Sequence, residues 1–210
     1  MACESGFDKK SPQQISVQSL KLSDLNIVYV FVFGGKGAGK TTLIDSVTTR
    51  RIPDPLLPSF QYVSESTRRT DKGVITLRLL EMKREQLSLP EISQVCQAEK
   101  HVLLFVYAVD HLLGFNSLYG RWIIYVRKQY SWTAPTVILG NKIDLKNHPY
   151  FKITNPNYRD TLSHCNKKHL NVDCALECSA LTGDQVDFVF SEIAKLGNET
   201  RKESNDVLYF

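Results

Sequence analysis

No apolar run in this sequence is long enough to cross a bilayer. The longest, Ile27 to Phe33, falls far short of the roughly 20 residues that a membrane helix needs, so no transmembrane segment is expected. A cysteine framework is lacking too. Cys3, Cys96, Cys165, Cys174 and Cys178 are odd in number and irregular in spacing, and without a recognisable signal peptide they point to a reducing compartment. His164, Cys165, His169, Cys174 and Cys178 match none of the paired-ligand spacings of a zinc site. Cys174 and Cys178 are instead expected as small apolar residues on one face of a strand. Charge of one sign is not concentrated anywhere: the net charge is +4 and the basic residues are scattered, which leaves no electrostatic footprint for nucleic acid. Neither an internal repeat nor a low-complexity segment is present.

What is there suits one domain. The chain has 210 residues, 42% hydrophobic and 23% charged, the size and composition of a single globular unit with short tails. Residues 1–25 are polar and aperiodic and read as a flexible N-terminal tail, 26–197 as the domain, and 198–210 as a short C-terminal tail. The run 26–33 (NIVYVFVF) is continuously β-branched and aromatic, the pattern of a strand buried on both faces of a parallel sheet. It returns at 102–109 and 136–139, and helical spacing fills 40–50, 115–130 and 183–196, the last with Val186, Val189, Phe190 and Ile193 on one stripe. Strands at 61–66 and 74–80 flank a polar turn at 67–73, predicting a hairpin that supplies one antiparallel edge strand. The alternation predicts an α/β fold: a mixed, mostly parallel six-stranded sheet with helices on both faces.

Gly34-Gly35-Lys36-Gly37-Ala38-Gly39-Lys40-Thr41 follows the first strand directly and opens a helix, the context that a phosphate loop requires. Glycines let successive N–H groups converge on phosphate oxygens, and the helix start adds the positive end of its dipole. Lys40 would then meet the β- and γ-phosphates, and the Thr41 hydroxyl a magnesium ion. The competing reading is a glycine-rich turn without a ligand. Asn141-Lys142-Ile143-Asp144 comes just after the strand at 136–139, at the carboxyl edge of the sheet, where ligands of open α/β folds bind. A carboxylate there can accept from both the N1–H and the 2-amino group of guanine, a donor pair that adenine lacks. Read alone the tetrapeptide is a common turn; behind a phosphate loop it reads guanine.

With Glu177-Cys178-Ser179-Ala180, these motifs resemble the Ras superfamily of small GTPases over roughly 26–196. Within it the chain is most similar to the Rho group, through Trp122 in the third helix, the run from Glu177 into Thr182, Val186, Val189 and Phe190, and a stretch between Asp144 and Glu177 long enough for an extra helix. The resemblance implies a P-loop small-GTPase fold and GTP or GDP with Mg2+ as ligands. It implies a nucleotide site of Gly34, Gly35, Lys36, Gly37, Ala38, Gly39, Lys40, Thr41 and Thr42, with Asn141, Lys142 and Asp144 at the base and Ser179, Ala180 and Leu181 around the guanine carbonyl. Thr41 and Ser59 would be metal ligands, with Glu81 reaching the ion through water. Ser59, preceded by Pro58, stands at the interval from Lys40 at which the family places its first-switch threonine.

Departures from the family pattern fall mainly in the second switch. The family's Asp-x-x-Gly stretch reads Glu81-Met82-Lys83-Arg84 here, followed by Glu85 where the family has a water-orienting glutamine. Arg84 brings a side chain where close backbone approach to the γ-phosphate is needed. An ionised Glu85 only accepts hydrogen bonds and would be repelled by that phosphate. Lys40, Glu85 and Arg84 are thus the candidate catalytic residues, the last two with altered chemistry, and slow hydrolysis is expected. Lys36 stands where the family has glycine and would crowd an incoming arginine finger; the alternative is that Lys36 or Arg84 supplies transition-state charge itself. Ile52 replaces an aromatic ring that relatives lay against the guanine, a change expected to raise the nucleotide off-rate unless Phe60, Tyr62 or another ring substitutes.

The C-terminal residues Val207-Leu208-Tyr209-Phe210 carry no cysteine for prenylation, and Met1-Ala2 lacks the glycine for myristoylation; Cys3 is the remaining position for an acyl chain. No stable lipid anchor is expected, and localisation is read as cytoplasmic, with peripheral membrane contact only through partners. The leading reading is a GTP-binding, Rho-like switch or adaptor that meets effectors and regulators through residues 53–62 and 81–95. The alternative is a pseudoGTPase interaction module with absent or purely structural nucleotide. An ATP-using P-loop enzyme is a third reading, opposed by Asp144.

Overall fold

Strand β1 (Ile27–Gly34) is buried at every position because its alternating side chains feed two cores. Val28, Val30 and Val32 face one, and Ile27, Tyr29, Phe31 and Phe33 the other. A strand of this kind needs neighbours on both edges and helices on both faces, and the chain supplies them in order: α1 (Lys40–Val47), β2 (Arg50–Ile52), β3 (Val63–Thr70), β4 (Gly73–Glu81), a 3-10 turn (Arg84–Ser88), α2 (Pro90–Ala98), β5 (His101–Ala108), a π-helical stretch (Leu118–Ile123) running into α3 (Ile124–Gln129), β6 (Thr136–Asn141), a second 3-10 turn (Ile143–Asn147), β7 (Cys174–Cys178) and α4 (Val186–Asn198). This computed structural model describes residues 26–111, 115, 118–129, 134–147, 163 and 172–199.

The sheet runs β2-β3-β4-β1-β5-β6-β7. Five strands, β4, β1, β5, β6 and β7, are mutually parallel, while β3 pairs antiparallel with both β2 and β4. One face is covered by Leu43, Ile44 and Val47 of α1 and by Val189, Phe190 and Ile193 of α4. The opposite face is covered by Ile92 and Val95 of α2, by Phe115, and by Leu118, Ile123 and Val126 of the helical stretch after β5.

This is the mixed, mostly parallel α/β sheet expected from the sequence, with one strand more. The seventh is β2, two arginines and an isoleucine at the sheet edge. Its charged, short form carries no apolar run to announce it and is the form that edge strands commonly take. Because β2 claims residues 50–52, α1 stops at Val47 instead of Arg50, and β3 is not the edge strand. The hairpin turn is also tighter than expected: Arg68, Arg69 and Thr70 pair with Ile75, Val74 and Gly73, so the polar stretch from Thr67 is strand with a partly exposed face, and the turn is Asp71-Lys72. Cys174 and Cys178 do share a face of β7, Cys178 inside the core and Cys174 against it. The tails at 1–25 and 200–210, the histidines at 164 and 169 with Cys165, and most of the segment expected to hold a Rho-type extra helix lie outside the described residues. Among the described residues no helix is long and apolar enough to cross a membrane.

Candidate functional site

The carboxyl ends of β1, β4, β6 and β7 gather the sequence motifs at one rim of the sheet. The loop between β1 and α1 makes its turns through glycines at positive φ, Gly37 and Gly39 both at 81°. Gly39 is the N-cap of α1, so no side chain covers the N–H groups of the first helical turn, which have no intrahelical acceptors and point out of the helix start. Lys40 folds back over the loop, its Nζ donating to the Gly35 carbonyl at 3.1 Å. An uncapped helix start under an ammonium group is a receptor for anionic oxygens.

Asn141, the last residue of β6, joins this loop to the two other motifs. It is 1% exposed. Its Nδ2 donates to the Ala38 carbonyl at 3.0 Å, and its Oδ1 accepts from the backbone N–H groups of Lys142 at 2.8 Å and Ala180 at 3.0 Å. The Cys178 thiol, pushed up to about 12 by burial, also lies 3.8 Å from that oxygen as a donor. One amide side chain thus fixes the phosphate-loop backbone, the Asn-Lys-Ile-Asp turn and the loop after β7 relative to each other. Lys142 sits at φ 69°, an uncommon conformation for a side-chain-bearing residue, with its Nζ 3.2 Å from Asp110, in the turn that follows β5. Asp144 accepts from the Ser179 hydroxyl at 2.5 Å, and that hydroxyl accepts in turn from the Thr182 N–H at 3.2 Å. Lys146 and Glu177 pair across the same turn at 2.5 Å. Leu181 stands exposed beside them.

Gly39 shows how closely these parts fit. A Cβ there would run into Asn141 Nδ2, whereas one at Gly37, at the same φ, would meet nothing. Gly37→Ala is expected to cost about 1 kcal/mol from backbone strain alone, and Gly39→Ala about 2–3 kcal/mol because the clash adds to the strain. Equal losses in paired thermal-denaturation measurements would show that the Asn141 contact adds nothing.

At the end of β4, Glu81 reaches the loop directly. Its Oε2 accepts from the Thr41 hydroxyl at 2.6 Å and its Oε1 lies 3.4 Å from Lys40 Nζ. A hydroxyl and a carboxylate side by side are hard oxygen donors of the kind that magnesium takes. The 3-10 turn after β4 holds Arg84 in its backbone and leaves Glu85 exposed. The glutamine of this stretch is Gln86, one residue later, and its side-chain oxygen is used in accepting from the Lys83 N–H at 2.8 Å. Lys36 and Thr42 are exposed on the loop and the first turn of α1.

Ser59 is engaged by Glu91 and not by Thr41. Its N–H and its hydroxyl donate to the two carboxylate oxygens of Glu91, both at 3.0 Å. Ile52 packs at the edge of the core together with Phe60, while Tyr62 is exposed.

Sequence reading missed Glu91, Asp110 and a buried polar network beneath the loop 53–62. There Arg78 of β4 donates to Asp54 at 2.9 Å and to Glu65 at 3.2 Å, and the Tyr29 hydroxyl donates to Asp54 at 2.9 Å. Burial pushes the Tyr29 hydroxyl up to about 12 against the lowering pull of Arg78, so it stays a donor at neutral pH. Arg50 completes the set on Glu65 at 2.6 Å. The available signal was the arginine set among the leucines of β4, directly opposite Glu65 in the hairpin register.

The model of the Ras family matches residues 29–198, nearly the whole of this sheet and its helices. The chain belongs to the Ras family. Among individual relatives, it is 25% identical to GTP-binding protein rho2 of Schizosaccharomyces pombe over 182 residues, covering 83% of this chain and 89% of the relative. It is 24% identical to GTP-binding protein RHO2 of Saccharomyces cerevisiae over 176 residues, covering 82% and 90%. Mitochondrial Rho GTPase 2 of Arabidopsis thaliana is 27% identical over 165 residues, 77% of this chain but 24% of that longer protein. This Ras-family chain is therefore Rho-like, and its P-loop GTPase architecture is the one the family uses.

Proposed function

We propose that this Rho-like chain binds GTP and GDP with magnesium and works as a molecular switch or adaptor whose hydrolysis is slow. The observation that carries the reading is the Asn141 clasp: one buried side chain ties the phosphate loop, the Asn-Lys-Ile-Asp turn and the Ser179-Ala180 loop into a single rim. A polyphosphate fits the uncapped start of α1 and Lys40, and Lys142 fits along a purine face. Asp144, oriented by Ser179, fits the two guanine donors, with Ala180 and Leu181 near the carbonyl. The loop from Gly34 to Gly39 and Thr42 would line the phosphates. Thr41 would hold the metal, with Glu81 behind it and Ser59 recruited from its loop.

The Glu85 carboxylate supports slow turnover, because it cannot both donate to and accept from an attacking water as an amide does. Residues 53–62 and 81–95 are the surface offered to effectors and regulators, the domain is the stretch 26–197 between two tails, and a cytoplasmic location fits these properties. The pseudoGTPase reading rests on one observation, the engagement of both Lys40 and Thr41 by Glu81, which an incoming phosphate must displace or accommodate.

The test is to denature the purified protein, identify the nucleotide released, then reload with GTP and magnesium and follow phosphate. Co-purifying GTP with negligible turnover is the expected result. GDP with rapid phosphate release would overturn slow hydrolysis, and failure to bind even with excess GTP would leave the interaction module.

A further inference from the structure

The loop 53–62 is held in two different ways along its length. At its root, Asp54 is buried, accepts from Tyr29 and Arg78, and caps the turn by accepting from the Leu56 N–H at 2.9 Å. Leu57, with no exposed surface, plugs into the core under α2. Beyond it the chain turns through a Phe60 N–H to Leu57 carbonyl bond at 3.0 Å. Ser59, inside that turn, is exposed and held by Glu91, the second residue of α2. The root is fixed by a buried ionic network, and the tip by one solvent-accessible carboxylate.

Two cis ligands of an octahedral magnesium ion, each at its usual distance of about 2.1 Å, lie about 3 Å apart. Thr41 and Ser59 are each engaged elsewhere: the Thr41 hydroxyl bonds Glu81, the Ser59 hydroxyl bonds Glu91, and no hydrogen bond among the described residues joins the two. We propose that Glu91 is a positioning residue that docks Ser59 on α2 when no metal-bound nucleotide is present, so that magnesium and Glu91 compete for the same hydroxyl. The inference rests on the reading of the site as a magnesium–nucleotide site. Its consequence is directional. Loading must break both Ser59 contacts, freeing the first turn of α2 as well as the loop tip, while residues 54–57 stay pinned. The movement that signals loading is therefore confined to residues 58–62 and the start of α2.

The test is a double-substitution cycle read by magnesium titration of a fluorescent GTP analogue, in the full chain, with Glu91→Ala, Glu91→Gln and Ser59→Ala. Removing the competitor is expected to tighten apparent magnesium affinity about fivefold, the scale of one exposed charge-assisted hydrogen-bond pair. Glu91→Gln is expected to fall between, and Glu91→Ala to have no effect in the Ser59→Ala background or on analogue binding in chelator. Hydrogen exchange of the nucleotide-free protein is expected to show a faster Ser59 amide in Glu91→Ala and an unchanged Leu57. An unsubstituted chain that binds GTP with magnesium, but whose affinity is unmoved or weakened by Glu91→Ala, would overturn the competition alone. A chain that binds no GTP at all would sink the nucleotide reading and this one with it.

Discussion

Asn141→Ala is expected to destabilise the fold by about 3–5 kcal/mol and, on the proposed function, to abolish guanine-nucleotide binding. The side chain is buried and serves the Ala38 carbonyl, the Lys142 N–H and the Ala180 N–H. Truncation leaves these groups without their partner, each at a cost of about 1–3 kcal/mol where water cannot enter. Partial rearrangement brings the sum to the range given. The functional loss follows from geometry. Asp144 and Ser179 are tied to the phosphate loop through the backbones that Asn141 joins, and a displacement of about 1 Å in a positioning group is enough to cost a large factor. Asn141→Asp separates the two halves of this argument. It keeps the acceptor that faces Lys142 and Ala180 but replaces the donor to Ala38 with a charged oxygen, so repulsion falls on the phosphate loop alone. Urea denaturation and nucleotide titration of both variants check this. An Asn141→Ala protein of unchanged midpoint would show that the clasp is not what holds the rim together.

Arg78→Met is expected to cost about 3–5 kcal/mol, because it leaves Asp54 as a buried carboxylate without a cation and Glu65 with only the exposed Arg50. The pair distances of 2.9 and 3.2 Å and the near-complete burial of all three side chains make this a network whose partial removal is far worse than its absence. Replacing the set together, Arg78→Met with Asp54→Asn and Glu65→Gln, is therefore expected to recover much of the loss, since well-packed neutral groups replace a desolvated triad. The contrast with the surface pair of Arg51 and Asp45 is instructive: that contact, at 2.5 Å and half exposed, is worth less than about 1 kcal/mol. Asp54 anchors the loop that carries Ser59, so Arg78→Met should also speed hydrogen exchange of the Leu56 and Leu57 amides, which are bonded to Asp54. Global stability measured in denaturant, together with exchange in that segment, distinguishes loss of the anchor from general loosening. A variant within about 0.5 kcal/mol of the parent, the scatter of ordinary surface substitutions, would refute the anchoring role.

The amino-acid sequence by itself determined the features that depend on neighbours along the chain. Buried parallel strands announce themselves as unbroken apolar runs, so β1, β5 and β6 were legible from composition alone. The phosphate loop was legible because its function depends on consecutive backbone N–H groups, and Asn141 to Asp144 because the turn follows its strand directly. Family membership rests on the same local signals. Tertiary structure decided what depends on residues far apart. Asn141 and Ala38 stand 103 positions apart, and nothing in either motif says that one amide will close both. Glu65 and Arg78 carry no local signal of pairing, and only the register of the hairpin sets them opposite each other and above Tyr29. Strand β2 was invisible because three edge residues with two arginines have no hydrophobic period to read. The family resemblance assigns Ser59 a role, but its partner Glu91 lies on another element, and only the packing of α2 against the loop brings that carboxylate to it. Local periodicity and spacing encode which elements form and which chemistry they carry. The energies that choose among positions of those elements come from buried polar contacts between distant residues, and these exist only once the chain is folded.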